Sequence, residues 1–167
     1  LEWGGLMDVV MQSKLKLQNL VILDRVTDPH NVGAILRSAE VFGASAVVGT
    51  RHHSAPETGA LAKAASGALE RQPYIRVKNL SDSILELKKI GFVALGLDAT
   101  GSSDISDAAK LYSDRPIALI LGAEGPGLRS RTKEVVDALI KIEPLSSFGS
   151  LNVSNAAAVG LYSITAV

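Results

Sequence analysis

The five residues Leu20-Val21-Ile22-Leu23-Asp24 contain nothing polar before the last position, and runs of this kind recur along the chain. A strand with one wet face alternates apolar and polar residues, whereas a run that is apolar throughout fits burial on both faces of a parallel sheet. Comparable runs are Ala46-Val47-Val48-Gly49, Phe92-Val93-Ala94-Leu95-Gly96-Leu97 and Ile117-Ala118-Leu119-Ile120-Leu121, and Tyr74-Ile75-Arg76-Val77 and Ala138-Leu139-Ile140-Lys141-Ile142, each interrupted by one cation, also read as strands. Helical patterns fill the intervals: Val32 to Phe42 closed by Gly43, Pro56 to Leu69, Ser81 to Ile90 capped by Ser81 or Asp82, Arg129 to Val136, and Asn152 onward. Asp28-Pro29-His30-Asn31 reads as a break, and Thr100 to Ser113 as a polar stretch with one short helical turn. Strands alternating with helices specify an α/β fold, a mostly parallel sheet with helices on both faces. The run at Ile117, the most apolar, is expected mid-sheet.

Composition limits what such a fold can do. The 167 residues are 47% hydrophobic with mean hydropathy +0.24, enough for one domain with its own core. No run approaches the roughly 18 apolar residues of a membrane span, and Leu1-Glu2-Trp3-Gly4 lacks the pattern of a secretory signal, so a soluble cytoplasmic protein is expected. There is no cysteine, and the adjacent His52 and His53 are ill placed to share a metal, so no metal is expected. Seventeen basic residues balance seventeen acidic ones, so any nucleic-acid binding must come from local patches. Residues 1–18, with Gly4-Gly5 and Gln12-Ser13-Lys14, read as a linker or N-terminal extension to a domain over 19–167.

Ligands of parallel sheets bind beyond the carboxyl ends of the strands. Four loops there carry unusual residues: Asp24 to Asn31, Gly96 to Gly101, Gly122 to Leu128 and Glu143 to Asn152. Neither a Gly-x-Gly-x-x-Gly after the first strand nor a Gly-Lys-Ser/Thr phosphate loop is present, and neither Glu124 nor Ser154 has a His partner that would make a hydrolytic triad. Gly149 to Leu161 places Ser150, Asn152 and Ser154 where an Ala- and Val-rich helix begins, residue types that cap a helix start and line a place to hold a ligand. The same stretch also fits a tightly packed core helix. Its small side chains require its backbone to lie close to something.

Three motifs in this order, Asp28-Pro29-His30-Asn31-Val32-Gly33-Ala34-Ile35-Leu36-Arg37, then Ile120 to Leu128 continued by Ile140 to Pro144, then Ser150 to Ala157, resemble the SpoU (TrmH-like) family of RNA ribose 2′-O-methyltransferases. The likeness covers Leu20 to Val167 and points to the branch that modifies a guanosine in 23S rRNA; tRNA-modifying and antibiotic-resistance branches share the motifs. Glu143-Pro144-Leu145 departs from the Pro-Met-x expected there.

The resemblance implies a Rossmann-like fold with a C-terminal trefoil knot, an S-adenosylmethionine cofactor and a homodimer. It assigns Asn31, Arg37, Glu124, Ser150 and Asn152 to catalysis. The cofactor is expected against Gly122, Gly125, Ile142, Leu151, Ser154 and Ala156, with Leu95 and Gly96 as the opposite wall. A guanidinium with a pKa above about 12 is a poor base, so Arg37 is read as a clamp on RNA phosphate that also stabilises the developing alkoxide, with Glu124 and Asn31 orienting either Arg37 or the ribose. Arg51-His52-His53 and Arg129-Ser130-Arg131 are candidate phosphate contacts. In the ribosomal branch an RNA-binding domain commonly precedes the catalytic one, so the neutral chain is expected to be a catalytic fragment. The alternatives are a non-catalytic RNA-binding factor and an unknotted nucleotide-binding α/β enzyme.

Overall fold

A computed structural model describes residues 2–12, 18–146 and 149–167. Its strands are β1 (Leu20–Asp24), β2 (Ala46–Thr50), β3 (Tyr74–Val77), β4 (Val93–Leu97), β5 (Ser103–Asp104), β6 (Ile117–Gly122) and β7 (Ala138–Lys141). They form one seven-stranded sheet in the order β3-β2-β1-β6-β4-β7-β5, with every pair parallel. β6 takes the central place, as its uninterrupted apolar run requires.

The helices are α1 (Trp3–Gln12), α2 (Pro29–Val41), α3 (Gly59–Ala65), α4 (Ala68–Arg71), α5 (Leu80–Lys89), α6 (Ile105–Leu111), α7 (Ser130–Val135) and α8 (Val153–Thr165). Successive strand residues point to opposite faces, which divides the core in two. Val21, Leu23, Leu95 and Leu119 pack with Ile35 and Leu36 of α2, Leu61 of α3, Ala109 of α6 and Leu161 of α8. Leu20, Ile22, Ala94 and Ile120 pack with Leu6 of α1, Leu87 of α5 and Val135 of α7. Each buried Leu or Ile contributes about 1.5–3 kcal/mol, so both faces are firmly covered. The small-residue helix α8 lies close to the central strand: a Cβ on Gly160 would stand 2.9 Å from a methyl of Leu119.

Several local expectations are corrected. Helix α2 starts at Pro29 rather than Val32, because Asp28 caps it and proline at the first helical position needs no partner for its nitrogen. The helix expected over 56–69 is two, divided where Ser66 and Gly67 adopt positive φ. The cap of α5 is Asn79, which accepts from Asp82 N, not Ser81 or Asp82. The polar stretch 100–113 holds β5 and α6, more than a helical turn. Where the lead-in read as linker, residues 3–12 are helical with Leu6 buried and Trp3 Nε1 donating to Glu86 at 2.6 Å; Ser13 and Lys14 lie outside the described residues.

Asp104 caps α6 and ties two loops together. It accepts from the hydroxyl and backbone N–H of Ser106 and from Glu143 N at 3.2 Å. The Ser106 hydroxyl, then its N–H, hold this carboxyl below the usual carboxylate range. A depressed pKa stabilises the fold above the group's ordinary value, and that contribution disappears as pH falls through the depressed one. Asp104→Ala should therefore cost about 1 kcal/mol near neutrality. The difference in Tm between parent and variant, about 2–4 °C, should close in acid. Thermal melts across pH check this, and a gap that widens on acidification would contradict it.

Candidate active site at the carboxyl edge of the sheet

All the strands run the same way, so the loops leaving β1, β2, β4, β6 and β7 open on one edge. Asp24 ends β1 and is fully buried. A buried carboxylate needs charged or hydrogen-bonded partners, and Arg129 supplies them from the start of α7: its N–H lies 2.8 Å and its Nε 2.6 Å from the two carboxyl oxygens. This clamp folds the loop after β6 back across β1. The loop closes on itself through Gly127 N to Ala123 O at 2.8 Å. Gly122 makes that closure possible, since a Cβ there would stand 2.3 Å from the carbonyl carbon of Gly127.

The second and third motifs meet at the start of α8. Glu124 accepts from Val153 N at 3.2 Å, and Asn152 caps the helix by accepting from Ser154 N at 2.8 Å. A carboxylate at a helix N-terminus meets both free N–H groups and the positive end of the helix dipole. The first motif lies on α2, which packs against α8. There Asp28 accepts from His30 N and from the amide of the buried Asn31 at 3.2 Å. Arg37 is exposed and pairs with no described residue.

These placements alter parts of the sequence reading. Asn31 and Glu124 do not orient Arg37, because the first is held by Asp28 and the second by Val153 N. Leu95 is fully buried in the core, and Gly96 is covered by Leu128 and Leu139, so neither forms a wall; half-buried Leu97 ends β4, and half-buried Asp98 follows it. Ile142 and Ala156 are half-buried against the core. Ser150, Leu151 and Gly125 are exposed, Gly125 at φ +83° with open space above it. Of the phosphate candidates, Arg51 and His52 are exposed at the end of β2. Arg129 is instead neutralised by Asp24, and Arg131 lies 3.2 Å from Glu134. Asp24 headed one of the four loops marked in the sequence but was not singled out as a site residue, although an acid closing an apolar run was its signal. Asp98, which lies 3.8 Å from Lys133 and accepts from Thr100 N, was likewise inside a marked loop without being assigned a role.

The described residues contain no group of three His, Asp or Glu able to hold a metal, and no helix long and apolar enough to cross a membrane. Residues 18–162 match the family model of the SpoU rRNA Methylase family. The chain is 41% identical over 155 residues to the 23S rRNA (guanosine-2'-O-)-methyltransferase RlmB of Vibrio parahaemolyticus, covering 93% of this chain and 61% of that one. It is 43% identical over 143 residues to the RlmB of Ralstonia nicotianae, covering 86% and 56%. The chain thus spans about 60% of the length of these relatives. Its fold matches the crystal structure of the SpoU methyltransferase AviRb from Streptomyces viridochromogenes with TM-score 0.83 at 27% identity, covering 95% of this chain and 63% of that one. AviRb in complex with AdoMet matches with TM-score 0.80 at 28% identity, covering 95% and 61%.

Proposed function

The chain belongs to the SpoU rRNA methylase family, and from that membership we propose that it transfers a methyl group from S-adenosylmethionine to a ribose 2′-oxygen of RNA, at a guanosine of 23S rRNA. The observation that carries this reading is the bond from Val153 N to Glu124, which joins two distant motifs at the start of α8, the helix packed against α2, whose Arg37 side chain pairs with no described residue.

The residues fit the cofactor. The 122–128 loop is held in a tight turn by the Ala123–Gly127 closure, which a Cβ at Gly122 would block, while Gly125 and Gly149 leave open space at the rim. Leu97, Ile142 and Leu151 offer apolar contact, and Ser154 and Ala156 begin the helix beneath. Bound there, S-adenosylmethionine supplies a methyl already activated on a sulfonium. The chain has to align the 2′-oxygen with it and stabilise the oxyanion as the hydroxyl proton passes to solvent. Arg37, exposed and ion-paired with no described residue, suits that anion. Ser150, exposed at the same edge, and the Asn152 cap position the ribose, and Asn31, braced by Asp28, fixes the start of the Arg37 helix.

A threaded C-terminus is part of this reading. β7 is inserted between β4 and β5, two strands joined directly by residues 98–102, and Gly101 crosses so near that a Cβ would stand 2.4 Å from the carbonyl carbon of Ile140. The chain enters β7 from α7 on one face and leaves to α8 on the other, as a knot requires although knots are rare. A homodimer is supported by Val41, Val159 and Tyr162, apolar and exposed on the packed pair α2 and α8. A cytoplasmic location follows from an rRNA substrate. Incubation with methyl-labelled S-adenosylmethionine and unmodified rRNA tests the activity: label should enter the RNA, and a protein that binds the cofactor yet transfers nothing would be an RNA-binding factor instead.

A further inference from the structure

Charge is distributed unevenly along the carboxyl edge. On the β6, β4 and β7 side each cation has an acid: Arg129 with Asp24, Arg131 with Glu134, Lys133 with Asp98, and Lys141 with Glu143. On the β1, β2 and β3 side the pattern reverses. Arg25, Arg51 and Lys78 are the first residues past their strands, all exposed and with side chains that pair with no described residue. Sheet register sets them in step. Arg25 and Arg51 each follow the Ile22–Val48 pair by three residues, and Arg51 and Lys78 directly follow the Thr50–Val77 pair. Adjacent strands lie about 4.8 Å apart, so the row spans about 10 Å. Arg76, the nearby cation in β3, is committed to structure: it donates to Ala55 O at 2.7 Å, pairs with Glu57 and stacks on Tyr74.

Backbone conformation points to the same row. Among the described residues, three other than glycine have positive φ: Arg25, His53 and Ser66. Ser66 closes α3, as left-handed caps commonly do. Arg25 and His53 gain no side-chain partner for a conformation that costs about 1–3 kcal/mol outside glycine. Residues that break a local rule without a structural return are expected at functional positions.

We propose that Arg25, Arg51 and Lys78, with His52 and His53 beside them, carry the RNA backbone that flanks the methylated nucleotide, so that the strand leaves the site over β1, β2 and β3 and not over β7 and β5. This rests on the methyltransferase reading above and adds a direction and three residues to it. Phosphate contacts are sequence-independent and are recognised by their salt dependence, about 0.7 in log–log slope per phosphate on single strands.

The test compares the full chain with Arg51→Ala/Lys78→Ala and with Lys89→Ala/Lys110→Ala, which removes two exposed, unpaired lysines from helix ends at the opposite edge of the sheet. Each is titrated with a labelled single-stranded RNA across salt concentrations and assayed for methyl transfer to rRNA and for S-adenosylhomocysteine binding. The row variant should bind RNA roughly 10-fold more weakly at physiological salt, with a slope smaller by about 1.4. Its S-adenosylhomocysteine affinity should be unchanged, and the control should match the parent. Arg25→Gly should weaken RNA binding without lowering Tm, because glycine relieves the positive φ. An unaltered Kd and slope in the row variant of a parent that methylates RNA would overturn the row and leave the enzyme reading intact. An equal loss in the control would also overturn it. A parent that neither binds nor methylates RNA would overturn the enzyme reading and the row with it.

Discussion

Arg37→Ala is expected to lower methyl transfer by about 100-fold or more while S-adenosylhomocysteine affinity stays within a few-fold of the parent. The size follows from what Arg37 is free to do. It is exposed on α2 without an acidic partner, so its full charge is available to an oxyanion that develops only as the ribose proton leaves. An interaction made only in the transition state lowers kcat when removed and leaves ground-state binding alone. Arg37→Lys should recover part of the rate, since a point charge replaces the planar fork. The Arg37 side chain bonds to no described residue, so the melting temperature should not move. Normal turnover in Arg37→Ala would remove the residue from the mechanism.

Gly122→Val is expected to damage both the fold and the site. Its Cβ would stand 2.3 Å from the Gly127 carbonyl carbon and 2.5 Å from Leu128 N, backbone atoms that no rotamer change can move aside. The Ala123–Gly127 bridge would have to open and the buried Leu128 withdraw from its place over Gly96. Overpacking of this kind costs typically 1–3 kcal/mol and more against backbone, a fall in Tm of roughly 10 °C for a chain this long. S-adenosylhomocysteine binding should be lost. Gly125→Ala is the companion variant: its Cβ meets nothing within 4 Å and only the positive φ resists it, so it should cost about 1 kcal/mol and keep the fold. A Gly122→Val protein with parental Tm and ligand affinity would contradict the assigned pocket.

Strands were legible in the sequence wherever burial on both faces made the run apolar throughout, and the central place of β6 followed from the same property. Element starts were harder. Asp28-Pro29 looked like a break, yet a capping acid followed by proline is how α2 begins. Ser66-Gly67 divided a helix that its alanines alone would have continued, because the decision lay in two left-handed residues. Short polar elements such as β5 were invisible, since their pairing with β7 is made by a chain far away in sequence. At the site, motif residues were recognisable but their partners were not. Spacing could not tell that Asp24 neutralises Arg129, that Asp28 holds Asn31, or that Leu95 lies under the rim. The free cations Arg25 and Lys78 stood out only when the register aligned them with Arg51.

The most direct measurement of the central claim is the chemical position of the transferred methyl. After reaction of the full chain with methyl-labelled S-adenosylmethionine and unmodified 23S rRNA, alkaline hydrolysis cuts every linkage whose 2′-hydroxyl is free. The account predicts that the label survives in alkali-stable dinucleotides that begin with guanosine and that it disappears with Arg37→Ala. Label recovered in mononucleotides, on a base, would contradict it.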